Sequence, residues 1–106
     1  MPKYLLEVSY TAEGTKGLLK DGGSKRKQTA EAALKSVGGN VDAFYFAFGD
    51  TDAYALVDAP DHASVTAASM YINAAGAVRL KTIVLITPEE VDKAAKKAVT
   101  YQSPGR

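Results

Sequence analysis

Residues 41–58 read VDAFYFAFGDTDAYALVD, a pattern that predicts a β-hairpin. The aromatic residues of 41–48 are spaced too closely for a surface helix, and residues 49–52 supply the glycine and the aspartates of a turn. Residues 53–58 then form the returning strand. Asp50 and Asp52 resemble a paired-carboxylate site, but aspartates in a hairpin turn usually bind backbone N–H groups, and we expect that role for them.

A strand and a helical region precede the hairpin. Residues 3–10 carry β-branched and aromatic types at alternate positions, which predicts the first strand. Residues 15–37 have the composition of a helix, but Gly22 and Gly23 interrupt it, so we expect a short helical turn and then a longer helix from about Ser24. Ser24 is the expected N-cap of the longer helix, because a serine side chain accepts from the first free N–H groups.

A helix, a strand and a short third helix follow the hairpin. Apolar residues at helical spacing after Pro60 predict a second long helix that ends at Gly76, and residues 78–87 have the pattern of a last strand. Thr87 and Glu90 have the spacing of a capping box, which predicts a third helix directly afterwards.

The order of elements is therefore strand, helix, strand, strand, helix, strand, followed by a helix. This order predicts an α+β protein with the ferredoxin-like βαββαβ arrangement, an antiparallel four-stranded sheet and an added C-terminal helix. We expect residues 1–101 to form a single domain and residues 102–106 to form a flexible tail.

The predicted sheet is apolar on both faces. In this arrangement both long helices cover one face, so the other face should be polar in a protein that works alone. Residues 41–48 nevertheless have apolar side chains on both sides of their strand. In the first and last strands, Leu5 and Ile83 lie on the side opposite to that of other apolar residues in the same strand. The C-terminal helix is too small to cover four strands, so we expect two copies of the chain to pack sheet against sheet.

Composition excludes several partners. Thirteen basic and twelve acidic residues leave a net charge of +1, so neither nucleic acid nor a membrane is expected as a partner. The basic cluster at residues 25–27 is interpreted as a solvated helix start rather than a phosphate site. The chain has no cysteine and no stretch long enough to span a bilayer, so we expect a cytoplasmic protein. We predict no cofactor and no metal site, and we expect the single histidine, His62, to be an exposed surface residue.

Five segments of the chain, taken in order, resemble the GYD-domain family. They are residues 10–14 (YTAEG), 16–20 (KGLLK), 22–23 (GG), 44–49 (FYFAFG) and 73–82 (NAAGAVRLKT). The resemblance extends over nearly the full chain, and an ordered set of segments is far more specific than any one of them. The resemblance implies a dimeric α+β barrel, and it brings no settled activity.

One departure concerns the turn that gives the family its name. The family's Gly-x-Tyr-Asp turn stands here as residues 49–52, Gly-Asp-Thr-Asp, with Thr51 where tyrosine is usual. A role for that tyrosine is therefore not carried over to this chain.

Four residues are candidates for binding a ligand: Tyr10, Tyr45, Asn73 and Arg79. The two tyrosines could line a pocket between sheet and helices, although tyrosine in sheets is mostly packing. The amide of Asn73 could bind a ligand, cap a helix or meet a subunit. Arg79 lies with Lys81 on one face of a largely apolar strand, so its charge needs a partner, either a carboxylate across the subunit contact or an anionic ligand.

Three functions remain open from the sequence. The favoured hypothesis is a protein that binds a small apolar or aromatic molecule in a cavity between sheet and helices. One alternative is a cofactor-independent monooxygenase or isomerase of the dimeric α+β barrel type, by analogy of fold. The other is a structural subunit of a homo-oligomer. Binding is favoured because no nucleophile with an adjacent base can be assembled from these residues.

Overall fold

Four β-strands form one antiparallel sheet in the computed structural model, which describes residues 1–105 of the chain. The elements in chain order are β1 (Lys3–Tyr10), α1 (Ala12–Asp21), α2 (Gly23–Ser36), β2 (Asn40–Phe46), β3 (Ala53–Asp58), α3 (His62–Ala74), β4 (Val78–Val84) and α4 (Pro88–Ala95). The strand order β2-β3-β1-β4 confirms the predicted ferredoxin-like α+β arrangement, and the sheet is not closed. Residue 106, the end of the predicted flexible tail, lies outside the described residues.

Two strands are shorter than predicted. β2 ends at Phe46 rather than at residue 48, because Phe48 has a φ of 57°, in the left-handed region where a strand cannot continue. The backbone N–H of Ala47 still bonds the carbonyl of Asp52 at 2.8 Å, which closes the hairpin. β4 ends at Val84 rather than at residue 87.

The first helical region is also different from the prediction. The expected short turn is a full helix of ten residues, α1, and its Thr11 N-cap accepts from the backbone N–H of Gly14 at 3.1 Å. Gly22, with a φ of 84°, separates α1 from α2 and is the N-cap of α2. The predicted Ser24 cap was therefore wrong, since Ser24 lies inside α2. The predicted capping box of Thr87 and Glu90 at the start of α4 is confirmed.

The core lies between the sheet and the helices. Tyr4, Leu6 and Val8 of β1 face α2 and α3, and they pair across the sheet with residues of β3 and β4 that face the same way. Small alanines on β3 let the helices approach this face closely. The largest fully buried side chains of the core are Tyr4, Leu34, Val57 and Val65.

A β-bulge at residues 41–43 changes which face the start of β2 presents. Val41 pairs with Val57 and Ala43 with Leu56, so Asp42 is the extra residue. Lys3 binds this carboxylate at 2.6 Å and that of Asp58 at 2.9 Å. The hydrogen bond from Lys3 holds the pKa of Asp58 below its usual 3.8. Because the bulge adds one residue to β2, Val41 lies on the same face of the sheet as Phe44 rather than on the opposite face.

The face of the sheet away from α2 and α3, called here the open face, carries an apolar row. Register places Leu5 between Leu56 and Ile83, and Ala43 beyond Leu56, so one row crosses all four strands. The next row runs from Tyr45 through Tyr54 to Glu7 and Lys81. No helix in residues 1–105 covers these two rows closely. Ile83 of the first row is 37% exposed, and Tyr45 of the second row is 72% exposed.

α4 extends away from the body of the protein. It has no buried residue, and Val91 on its apolar stripe is 54% exposed. The radius of gyration is 16.9 Å, against about 13 Å for a compact chain of about 100 residues. The longest dimension of the molecule is accordingly 56 Å. α4 therefore leaves the open face uncovered.

Candidate functional site

A cavity of about 80 Å³ lies between the sheet and helices α2 and α3. β1 supplies its floor, and α2 supplies Ala30 and Ala33, whose small side chains leave the space unfilled. Most of the lining is apolar. The lining residues are Leu6, Val8, Tyr10, Arg26, Thr29, Ala30, Ala33, Leu34, Phe44, Ala55, Ile72, Val78 and Leu80. Such a lining suits the hydrocarbon part of a small molecule.

An aromatic cluster lies at the end of the cavity near Tyr10. The ring of Tyr10 stacks on Phe46 with centroids 6.3 Å apart, and Phe46 in turn stacks on Phe48 at 5.6 Å. Phe44 meets Phe46 edge to face at 5.2 Å. The rings join the end of β2 to the end of β1, so the shape of the cavity at this end is set by side chains of the predicted hairpin.

Tyr10 is the predicted candidate that the structure places at the cavity. Its backbone N–H donates to the carboxylate of Asp52 at 2.8 Å, so Asp52 binds a backbone N–H as predicted, but that N–H belongs to β1 and not to the hairpin turn. Its hydroxyl has no hydrogen-bond partner among residues 1–105. This hydroxyl is not among the buried side-chain atoms that lack a partner, so it remains in contact with water, while Tyr10 itself lines the cavity.

The other candidates do not meet at this cavity as binding groups. Tyr45 and Arg79 lie on the open face, on the opposite side of the sheet. Asn73 lies on α3, and its amide is engaged with the backbone of β4, since it accepts from the N–H of Leu80 at 2.7 Å and donates to the carbonyl at 3.2 Å. Arg79 and Asn73 both line a wide groove of about 800 Å³ at the β4 edge, together with Glu7 and Lys81.

His62 is exposed, but its ring is held by a core residue. Nδ1 of His62 lies 2.6 Å from the hydroxyl of Tyr4, which is completely buried. Burial raises the pKa of the Tyr4 hydroxyl above its ordinary value. This contact anchors the start of α3 to the middle of the core and lies outside the cavity lining.

Arg26 is the site residue that sequence reasoning missed. It belongs to the basic cluster interpreted as solvated, yet its side chain is half-buried and lines the cavity. Its Nε is the buried side-chain donor that has no hydrogen-bond partner within the described part of the chain. A signal was present in the sequence, because Arg26, Ala30 and Ala33 share one face of a helix with the core residue Leu34.

Within the residues that the structure describes, neither a metal site nor a membrane-spanning helix is present. In residues 1–105, no three side chains of His, Asp or Glu lie together in a position to hold a metal ion. No helix there has the length and the apolar composition needed to cross a membrane.

Fold and cavity together define a class: an α+β protein with a ferredoxin-like sheet and an apolar space under its helices. The family model of the GYD domain matches residues 4–95. The chain therefore belongs to the GYD domain family, which confirms the resemblance seen in its sequence. A comparison with curated proteins gave no match.

Proposed function

We propose that this protein binds a small apolar or aromatic molecule in the cavity between the sheet and helices α2 and α3. The observation that carries the proposal is the cavity itself, which two alanines of α2 leave open above an apolar floor. Protein interiors are otherwise packed with few voids larger than a water molecule. A space of about 80 Å³ exceeds the roughly 30 Å³ share of one water molecule in the liquid.

The size of the cavity limits the ligand. An apolar cavity of about 150 Å³ is known to accept benzene, so a space of about 80 Å³ fits a short hydrocarbon chain or part of one ring. A larger aromatic molecule would extend beyond the space that Tyr10 and Phe44 line. The proposed ligand is therefore small, with its apolar part inside.

Filling the cavity is expected to abolish binding and preserve the fold. Ala30→Leu adds three carbon atoms at the cavity wall, and cavity filling commonly raises stability by about 0.5–2 kcal/mol. Ala32→Leu is the matched control, because Ala32 lies on the same helix with its side chain exposed. Each protein is purified without added small molecules, extracted, and the extract analysed by mass spectrometry.

The expected result is a compound that accompanies the wild-type and Ala32→Leu proteins and is missing from Ala30→Leu. If the Ala30→Leu protein carries the same compound in the same amount, the ligand does not occupy this cavity. If no compound is enriched with any of the three proteins and none of the cavity amides shifts in NMR titrations with small hydrocarbons, the binding function itself is overturned.

A second candidate function, a subunit of a homo-oligomer, is supported by the open face. The apolar row through Leu5 and Ile83 needs cover, and burial of apolar surface is the main force in association. Opposite charges adjoin that row, with Glu7 directly across from Lys81. A two-fold axis near this pair would bring Glu7 of one copy towards Lys81 of the other, so the face is complementary to itself.

The extended α4 supports the same candidate. A groove of about 800 Å³ lies between the start of α4 and the end of the sheet, lined by Leu56, Val84 and Ile86 among others. A second copy would fill this groove and cover the exposed stripe of α4. Sedimentation at micromolar concentration is expected to give a dimer or larger species, and a monomer at every concentration tested would exclude this function.

A further inference from the structure

Arg26 brings a positive charge without a counter-charge to an otherwise apolar cavity. The salt bridges found within residues 1–105 both belong to Lys3, so no carboxylate lies within 4.0 Å of the Arg26 guanidinium. Nε is shielded from water and has no hydrogen-bond partner there. The Nε–H has lost its water and gained no acceptor from these residues, which is unfavourable, whereas the two Nη groups of the guanidinium remain accessible to water.

The position of Arg26 on helix α2 explains why its charge lies beside the cavity. Arg26, Ala30 and Ala33 lie one and two turns apart on a single face of α2, and all three line the cavity. Lys25 and Lys27 flank Arg26 but are exposed and line no part of it. The cavity therefore has one cation at its wall and apolar residues over most of the rest.

We propose that Arg26 binds the carboxylate of a small organic acid whose hydrocarbon part occupies the cavity. This inference rests on the binding function proposed above and specifies the chemical class of the ligand. A guanidinium matches a carboxylate in plane and in donor spacing. A phosphate ester would carry about two charges into a site that has one cation, so a monocarboxylate fits the charge better.

A carboxylate supplies the acceptor and the counter-charge that residues 1–105 do not provide for Arg26. A carboxylate oxygen gives the Nε–H of Arg26 the acceptor that no side chain of residues 1–105 supplies. The apolar walls then exclude water from the pair, which strengthens a charge-assisted hydrogen bond. A neutral amide of the same shape fills the same space and offers the Nε–H a carbonyl acceptor, but it brings no negative charge to the guanidinium, so its hydrogen bond is weaker.

The test compares butyrate with butyramide, which share a shape and differ in charge. Each is titrated into the ¹⁵N-labelled wild-type protein, and binding is followed by the amide signals of Leu6, Val8 and Phe44, whose side chains line the cavity. Butyrate is expected to bind about ten- to a hundredfold more tightly than butyramide, the range set by a hydrogen bond to a charged group. This comparison needs no variant.

Variants then assign the preference to Arg26. In Arg26→Gln the two compounds are expected to bind with equal affinity. Lys27→Gln makes the same change at the adjacent exposed residue and is expected to retain the wild-type preference. A preference lost equally in both variants would show an effect of net charge and would overturn the role of Arg26.

The outcomes separate the two proposals. Equal binding of butyrate and butyramide to the wild-type protein, with shifts at the cavity amides, overturns the carboxylate inference and leaves the binding function in place. Absence of any shift at those amides with either compound overturns both. Shifts confined to the open face, around Arg79 and Lys81, place anion binding elsewhere and also overturn the role of Arg26.

Discussion

Replacing Gly14 with alanine is expected to lower the free energy of unfolding by about 4 kcal/mol, a large share of the stability of a domain of this size. Gly14 is the buried residue of α1, and a Cβ built on it would lie 1.8 Å from the carbonyl oxygen of Ala77. That oxygen accepts from both the backbone N–H and the hydroxyl of Thr11, at 3.1 and 3.0 Å. The methyl group must therefore displace α1 from the start of β4 and break these bonds.

The expected magnitude combines two costs. Overpacking a tight contact costs about 1–3 kcal/mol, and each lost hydrogen bond adds about 1 kcal/mol. The new methyl would also lie 3.2 Å from Cδ1 of Tyr10, so the end of the cavity shifts with the helix. Unfolding in urea, followed by circular dichroism, gives the change in free energy.

Gly17→Ala is the matched control for this prediction. Gly17 lies one turn along the same helix, and a Cβ there would meet nothing within 4 Å. Because alanine favours a helix interior, this variant is expected to be more stable by about 0.5–1 kcal/mol. Equal stabilities for the Gly14 and Gly17 variants would mean that α1 is not packed against Ala77 in solution.

Ile83→Glu is expected to dissociate the proposed homo-oligomer, with a rise of about a thousandfold in Kd. Ile83 ends the apolar row of the open face on the edge strand β4, where it pairs with Leu5. In a two-fold interface each substitution occurs twice, and loss of a buried isoleucine costs about 2 kcal/mol at each position. Sedimentation velocity across a dilution series measures the change.

The control is Leu19→Glu, which places the same charge on α1, where Leu19 is 83% exposed. Leu19→Glu is expected to keep the mass of the wild-type protein at every concentration. Circular dichroism of Ile83→Glu is expected to match the wild type, because residue 83 is at the sheet edge and already 37% exposed. An Ile83→Glu protein of unchanged mass would remove the open face from any subunit contact.

Much of the fold follows from signals that act over a few residues. The alternation in residues 3–10, the turn at residues 49–52 and the capping box at Thr87 each depend on neighbouring groups, so the elements could be predicted from the sequence. The ends of elements were harder to predict. β2 stops early because Phe48 adopts a positive φ, which the surrounding turn imposes on it and which an aromatic side chain does not favour by itself.

The candidate site depended on contacts between distant segments. Tyr10 and Tyr45 were both candidates because tyrosines of the sheet could line a pocket between sheet and helices. The bulge at Asp42 and the side of the sheet on which Tyr45 and Arg79 lie come from strand register, which the sequence does not show. Arg26 looked like one of three solvated basic residues. Only the packing of α2 across the sheet distinguishes it from its neighbours, because burial of one helix face removes water from the Nε of Arg26 and leaves Lys25 and Lys27 exposed.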